Sequence, residues 1–136
     1  MAGKNDANEH IQNFALDRIE QLDYELDAEY DDIGFNGDKY YKNTIGVTVL
    51  DDKSIADIVL KADKKTAPFI LTKPLHHSQK VLKQFADGSV VVQIRVHLNF
   101  ELDRLILGFG KGIEVLQPAF YRGRIKQLLL NALENY

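Results

Sequence analysis

The chain has 136 residues, 45% of them apolar and 27% charged, and a formal net charge of −3. That length suits one domain burying roughly two thirds of its unfolded surface, with the composition of an ordinary globular protein. The lack of cysteine excludes disulfides and thiolate metal sites and favours a reducing cytoplasm. No apolar run reaches the length of a membrane span, and the charge offers no general attraction to nucleic acid or anionic lipid.

Residues 1–9, MAGKNDANE, are small and polar and read as a flexible lead or turn. Residues 12–19, QNFALDRI, read as an extended strand, with Phe14, Leu16 and Arg18 on one face and Ala15, Asp17 and Ile19 on the other. The acidic run from Glu20 to Asp32 reads as a linker with a few apolar anchors, a short amphipathic helix being the alternative. Residues 1–34 therefore form a leading segment, and 35–136 form the main domain.

Within that domain, NGDKYYKNTIGV predicts a short helix capped by Asn36 or Asp38 and stopped at Gly46. SIADIVLKAD alternates as a strand, with Ala56, Ile58, Leu60 and Ala62 on one face. TAPFILTK predicts a helix capped by Thr66 and ended before Pro74. Asp87-Gly88 between two β-prone runs predicts a two-residue hairpin turn that pairs Phe85 with Val90. In its second strand Val90, Val92, Ile94, Val96 and Leu98 share one face, and Val91, Gln93, Arg95 and His97 the other. Lys83 then falls on the apolar face, which points to an irregular first strand or a snorkelling lysine.

ELDRLILGF carries Leu102, Leu105, Ile106 and Phe109 at helical spacing, and Gly110 or Gly112 ends that helix. GIEVLQP reads as a strand, and a closing helix runs from Pro118 with Tyr121, Ile125, Leu128, Leu129 and Ala132 on one stripe. The order from residue 54 is the split βαβ, or ferredoxin-like, pattern. It predicts an α+β fold: a four-stranded antiparallel βαββαβ sheet with helices on one face, a terminal helix, and the strand over 89–98 in a central place. The other face shows Val91, Gln93, Arg95 and His97 and is expected to contact something.

Three stretches resemble a known family. FALDRI resembles the strand that closes WYL domains. HHSQKVLKQFADGSVVVQIRV and LDRLILGFGKGIEVLQPAFYRGRI resemble the hairpin, helix, glycine turn and strand of the C-terminal extension that follows them, the WCX domain. The resemblance covers about residues 12–19 and 36–130. It implies a non-catalytic ligand-sensing and dimerising module of a transcriptional regulator. DNA would be bound only through an N-terminal helix-turn-helix domain that this sequence does not contain, and no cofactor, metal or membrane is implied. The resemblance also explains the leading strand as the last piece of a WYL barrel, with the chain expected to begin inside a longer regulator. Family members commonly carry further arginines in that strand, roughly where this chain has Gln12 or Asn13 and Ala15, so either a less charged effector or a degenerate site is expected.

The resemblance makes Arg18 a candidate contact for an oligonucleotide or nucleotide-like effector, since a guanidinium grips phosphate or carboxylate with two bonds. A surface ion pair with Asp17 or the acidic run is the plainer alternative. Arg95 and His97, two residues apart on one strand, point the same way and are candidate ligand-binding cations; an exposed sheet face or dimer contact is the alternative. His76 and Gln79 are expected to tie a loop to the hairpin through hydrogen bonds rather than to bind metal. Gly110 and Pro118 mark structural turns, because GFGKG follows a helix and opens a strand, the reverse of a phosphate loop. Two other classes remain in view. A stand-alone single-stranded nucleic-acid or nucleotide-binding module would need stacking aromatics on the sheet. A small enzyme would need an anion-cradling loop after the first strand, where KADKKTAP supplies only lysines.

Overall fold

A computed structural model describes residues 2–4, 11–21, 23, 34–50 and 52–136. They fall into two compact units, Met1–Asn36 and Gly37–Tyr136. The first unit holds β1 (Ala2–Lys4) and β2 (Ile11–Asn13), an antiparallel pair in which Gly3 faces Gln12. The strand expected over 12–19 is therefore cut short. From Leu16 to Arg18 the chain closes a 3-10 turn, with Arg18 N–H donating to the Ala15 carbonyl at 3.1 Å. Nor is the polar lead merely a turn, since three of its residues supply the partner strand. The acidic run, apart from Glu20, Gln21 and Asp23, lies outside the described residues.

The second unit contains α1 (Gly37–Tyr40), β3 (Ile55–Ala62), α2 (Ala67–Thr72), β4 (Lys80–Gln84), β5 (Val90–His97), α3 (Phe100–Gly108), β6 (Ile113–Gln117) and α4 (Ala119–Leu133). Its four strands form one antiparallel sheet in the order β4–β5–β3–β6, so β5 is internal as expected. This is an α+β fold with a four-stranded antiparallel sheet and a terminal helix. Alternation places Ile58, Leu60 and Ala62 of β3 on the same side as Val90, Val92, Ile94 and Val96 of β5. All seven are essentially buried, and Ile70, Leu102, Ile106, Tyr121 and Ile125 from the helices complete the core with them. At about 25 cal/mol per Å² of apolar surface, that shared burial is the main source of stability.

Two local expectations are corrected and a third is borne out. The hairpin connection is longer than two residues: Gln84, not Phe85, pairs with Val90, and Phe85 N–H donates to the Ser89 carbonyl at 2.9 Å. The Asp87 carboxylate accepts both the Ser89 N–H at 2.9 Å and its hydroxyl at 2.7 Å, a side-chain bond that competes with the tightest turn. The irregular first strand is real, because the β4–β5 register slips between Val81 and Lys83 and all five β4 residues are exposed. Lys83 settles with its ammonium 4.6 Å from the centre of the Phe85 ring. Finally, Thr66 makes no side-chain cap for α2. Asp63 instead closes the turn leading into α2, accepting from Lys65 N–H at 3.1 Å and Thr66 N–H at 2.8 Å.

Candidate functional site

The β3–β5 register sets Asp57 opposite Arg95, Val59 opposite Gln93 and Lys61 opposite Val91. These six side chains lie on the face turned away from the helices, since their neighbours along each strand fill the core. Val59, Lys61, Val91 and Gln93 are half-buried, and Asp57 and Arg95 are exposed. The Arg95 guanidinium donates to the Asp57 carboxylate at 3.1 Å. With side chains 59% and 46% exposed, such a pair contributes about 0–1 kcal/mol. Arg95 can therefore exchange Asp57 for another anion at small cost.

His97 is not displayed on this face as expected. It is 2% exposed, with Nδ1 2.7 Å from the Ser54 hydroxyl. Its N–H donates to the Asn43 carbonyl at 2.7 Å, and Leu98 N–H donates to the Ser54 carbonyl at 3.0 Å. The segment leading into β3 thus covers the end of β5, and no sequence period foretells such a cover. Of the three candidate ligand contacts, Arg95 is the one presented on the sheet. Arg18 is exposed in the 3-10 turn of the first unit, and among the described residues it makes no ion pair with Asp17.

Behind Arg95 lies a polar network. Ser78 Oγ accepts the Arg95 N–H at 2.9 Å, lies 3.3 Å from the Arg95 carbonyl, and is 2.7 Å from His76 Nδ1. The Gln79 side chain accepts from Leu75 N–H at 2.9 Å and donates to the Ile70 carbonyl at 2.7 Å, closing the loop between α2 and β4. His77 stacks on His76 at 4.0 Å and reaches the Lys42 carbonyl at 2.6 Å. Gly110, at φ +54°, opens the 3-10 turn before β6, and Pro118 stands at the N-cap of α4. Among the described residues, no three His, Asp or Glu side chains gather so as to hold a metal ion, and no helix is long and apolar enough to cross a membrane.

Burial holds the His76 pKa below its ordinary value, and the neighbouring His77 adds to the effect. In the unfolded chain the imidazole takes up its proton near pH 6.5, while the folded one resists until lower pH. The folded state therefore gains stability from this group above about pH 6.5 and loses it as pH falls below that. The urea midpoint of the native chain should be lower at pH 5.5 than at pH 7, while that of His76→Gln should depend less on pH. Parallel loss in both proteins would discard the assignment.

This fold and face define a small α+β module, with helices layered on one side of its sheet and mixed polar and aliphatic side chains on the other. A family model described as the WCX domain matches residues 55–133, and the chain belongs to that family. The match covers most of the stretch, about 36–130, in which the resemblance to the extension of WYL-type regulators was read, and runs three residues past it. No curated protein matches the chain.

Proposed function

We propose that the chain serves as the ligand-sensing and dimerising regulatory module of a WYL-type transcriptional regulator, with no catalytic role of its own. Residues 35–136 are the WCX-like part, with the ferredoxin-like arrangement. The single observation that carries this reading is the family match over the whole sheet and both long helices. The Arg95–Asp57 pair supplies an exchangeable cation for an anionic effector. Exposed Phe120, Leu130 and Leu133 on α4 supply apolar area for a second copy. Arg18, in the first unit, is proposed separately as a contact for an anionic effector.

The competing nucleic-acid module would stack bases on sheet aromatics. The outer face shows Val59, Val91, Gln93 and Arg95 in those places, so the two inner strands offer a base no Phe, Tyr or Trp to stack on. Titrating the chain with a fluorescent single-stranded oligodeoxynucleotide at physiological salt should show no saturable binding. Saturation would hand the function to the stand-alone reading.

Arg95→Ala should shift the melting transition by less than about 1 kcal/mol, because the lost pair is solvent-screened. In a reporter strain carrying the whole regulator, the same substitution should weaken the effector response. An unchanged response would remove Arg95 from the site.

A further inference from the structure

One end of the sheet gathers positive charge that the regulatory reading leaves unused. Lys61, Lys64, Lys65 and Lys111 line a single groove of about 270 Å³. They come from two distant stretches brought together by backbone contacts. Asp63 N–H donates to the Gly112 carbonyl at 3.0 Å, joining the end of β3 to the glycine turn before β6. A β-carbon on Gly112 would lie 2.3 Å from Thr66 Oγ1, so the Thr66 side chain packs directly on the Gly112 backbone. The hairpin tip closes the third side, since a β-carbon on Gly88 would stand 3.5 Å from Lys64 Cβ.

The charges in this groove do not cancel. Asp63 and Asp87 also line it, Asp63 accepting from the Lys65 and Thr66 N–H groups and Asp87 from Ser89, and each keeps its negative charge, so the four lysines leave an excess of two positive charges. Glu114, opposite Lys61 in the sheet register, is held by Arg122 at 2.7 Å. Among the described residues none of the four lysines is paired with a carboxylate. Four ammonium groups thus face two engaged carboxylates on a chain whose net charge is −3. Holding like charges together is unfavourable by Coulomb's law, and a dense anion relieves it.

We propose that this groove binds a linear phosphate chain, a di- or triphosphate group, through Lys61, Lys64, Lys65 and Lys111. The compact volume suits two or three linked phosphates and leaves any attached nucleoside outside. Ammonium point charges on flexible stems match the many oxygens of such a chain without a fixed fork geometry. No glycine nest is involved, and the site lies apart from Arg95.

Isothermal titration of the full chain with sodium triphosphate should give saturable one-to-one binding that weakens steeply as salt is raised. Lys64→Gln and Lys111→Gln should each weaken it about 5-fold, the factor for one contact near 1 kcal/mol, while Lys73→Gln, outside the groove, should change nothing. Unaltered melting curves would show that the variants fold. Adenosine triphosphate binding as the bare chain does, with adenosine monophosphate failing to bind, would identify a nucleotide tail as the source. Triphosphate binding far tighter than either nucleotide would identify the free chain. Absence of saturable binding, equal binding by the Lys64→Gln/Lys111→Gln double variant, equal affinity for adenosine monophosphate, or tighter binding of a single-stranded oligonucleotide would each overturn the proposal.

Discussion

Replacing Asp103 with alanine is expected to lower the unfolding free energy by roughly 2–4 kcal/mol. Asp103 sits on α3 among core residues, with its side chain only 7% exposed. One carboxylate oxygen accepts the Tyr121 hydroxyl at 3.0 Å, and the other accepts Arg124 Nε at 3.0 Å and Nη2 at 2.5 Å. Tyr121 is fully buried, and burial, reinforced by the Asp103 charge, pushes its phenol pKa far above the ordinary value. The phenol therefore stays protonated and must donate. Deleting the carboxylate strands that hydroxyl in the core, which costs about 1–3 kcal/mol. Loss of the Arg124 bonds adds less, because that side chain is half exposed and can turn to water.

Two companion variants separate these contributions. Tyr121→Phe removes the donor and leaves Asp103 bonded to Arg124, so it should cost only about 1 kcal/mol. Asp103→Asn keeps an acceptor for the phenol and should fall between the two. Urea unfolding of the three variants checks the order. An Asp103→Ala protein as stable as Tyr121→Phe would mean that the buried hydroxyl finds another partner.

This tie also marks where pattern reading stops. The stripe of Leu102, Leu105, Ile106 and Phe109 announces α3, and strict alternation from Val90 to Val96 announces an inner strand. Both signals are local and repeated, so both survive folding. Asp103 lies beside Leu102 within the buried surface, but its partners are 18 and 21 residues away. Arg124, off the α4 stripe, reads as solvent-facing. His97 fails for the same reason: its alternation is correct, yet Asn43 and Ser54 come from far upstream to bury it. The hairpin register erred at a closer range, because Asp87 bonds to Ser89 in place of the tightest turn. As for the lysine groove, KADKK and GKG are visible as separate charges, and only the Asp63–Gly112 contact makes them neighbours.

Gly46→Ala should cost roughly 2–4 kcal/mol, more than the loss of the carboxylate that Gly46 faces. Gly46 has φ +79°, a left-handed conformation that costs a residue with a β-carbon about 1–2 kcal/mol. Its added methyl would also fall 2.1 Å from the Glu101 carboxyl group. Glu101 accepts the N–H groups of Val47 and Thr48 at 2.9 and 2.8 Å, so alanine would displace it and release both. Asn99 holds the same segment, donating to the Ile45 and Thr48 carbonyls at 3.1 and 2.8 Å while its oxygen caps α3 at Leu102. Glu101→Ala removes the acceptor without straining the turn, so it should cost less, about 1–2 kcal/mol. The difference between the two variants isolates the backbone strain. Because Asn43 of this same strap accepts the His97 N–H, Gly46→Ala should also speed hydrogen exchange at His97 while leaving Ile94 protected. Equal losses for Gly46→Ala and Glu101→Ala, with His97 exchange unmoved, would show that the strap tolerates a β-carbon and that the cover over the end of β5 does not depend on it.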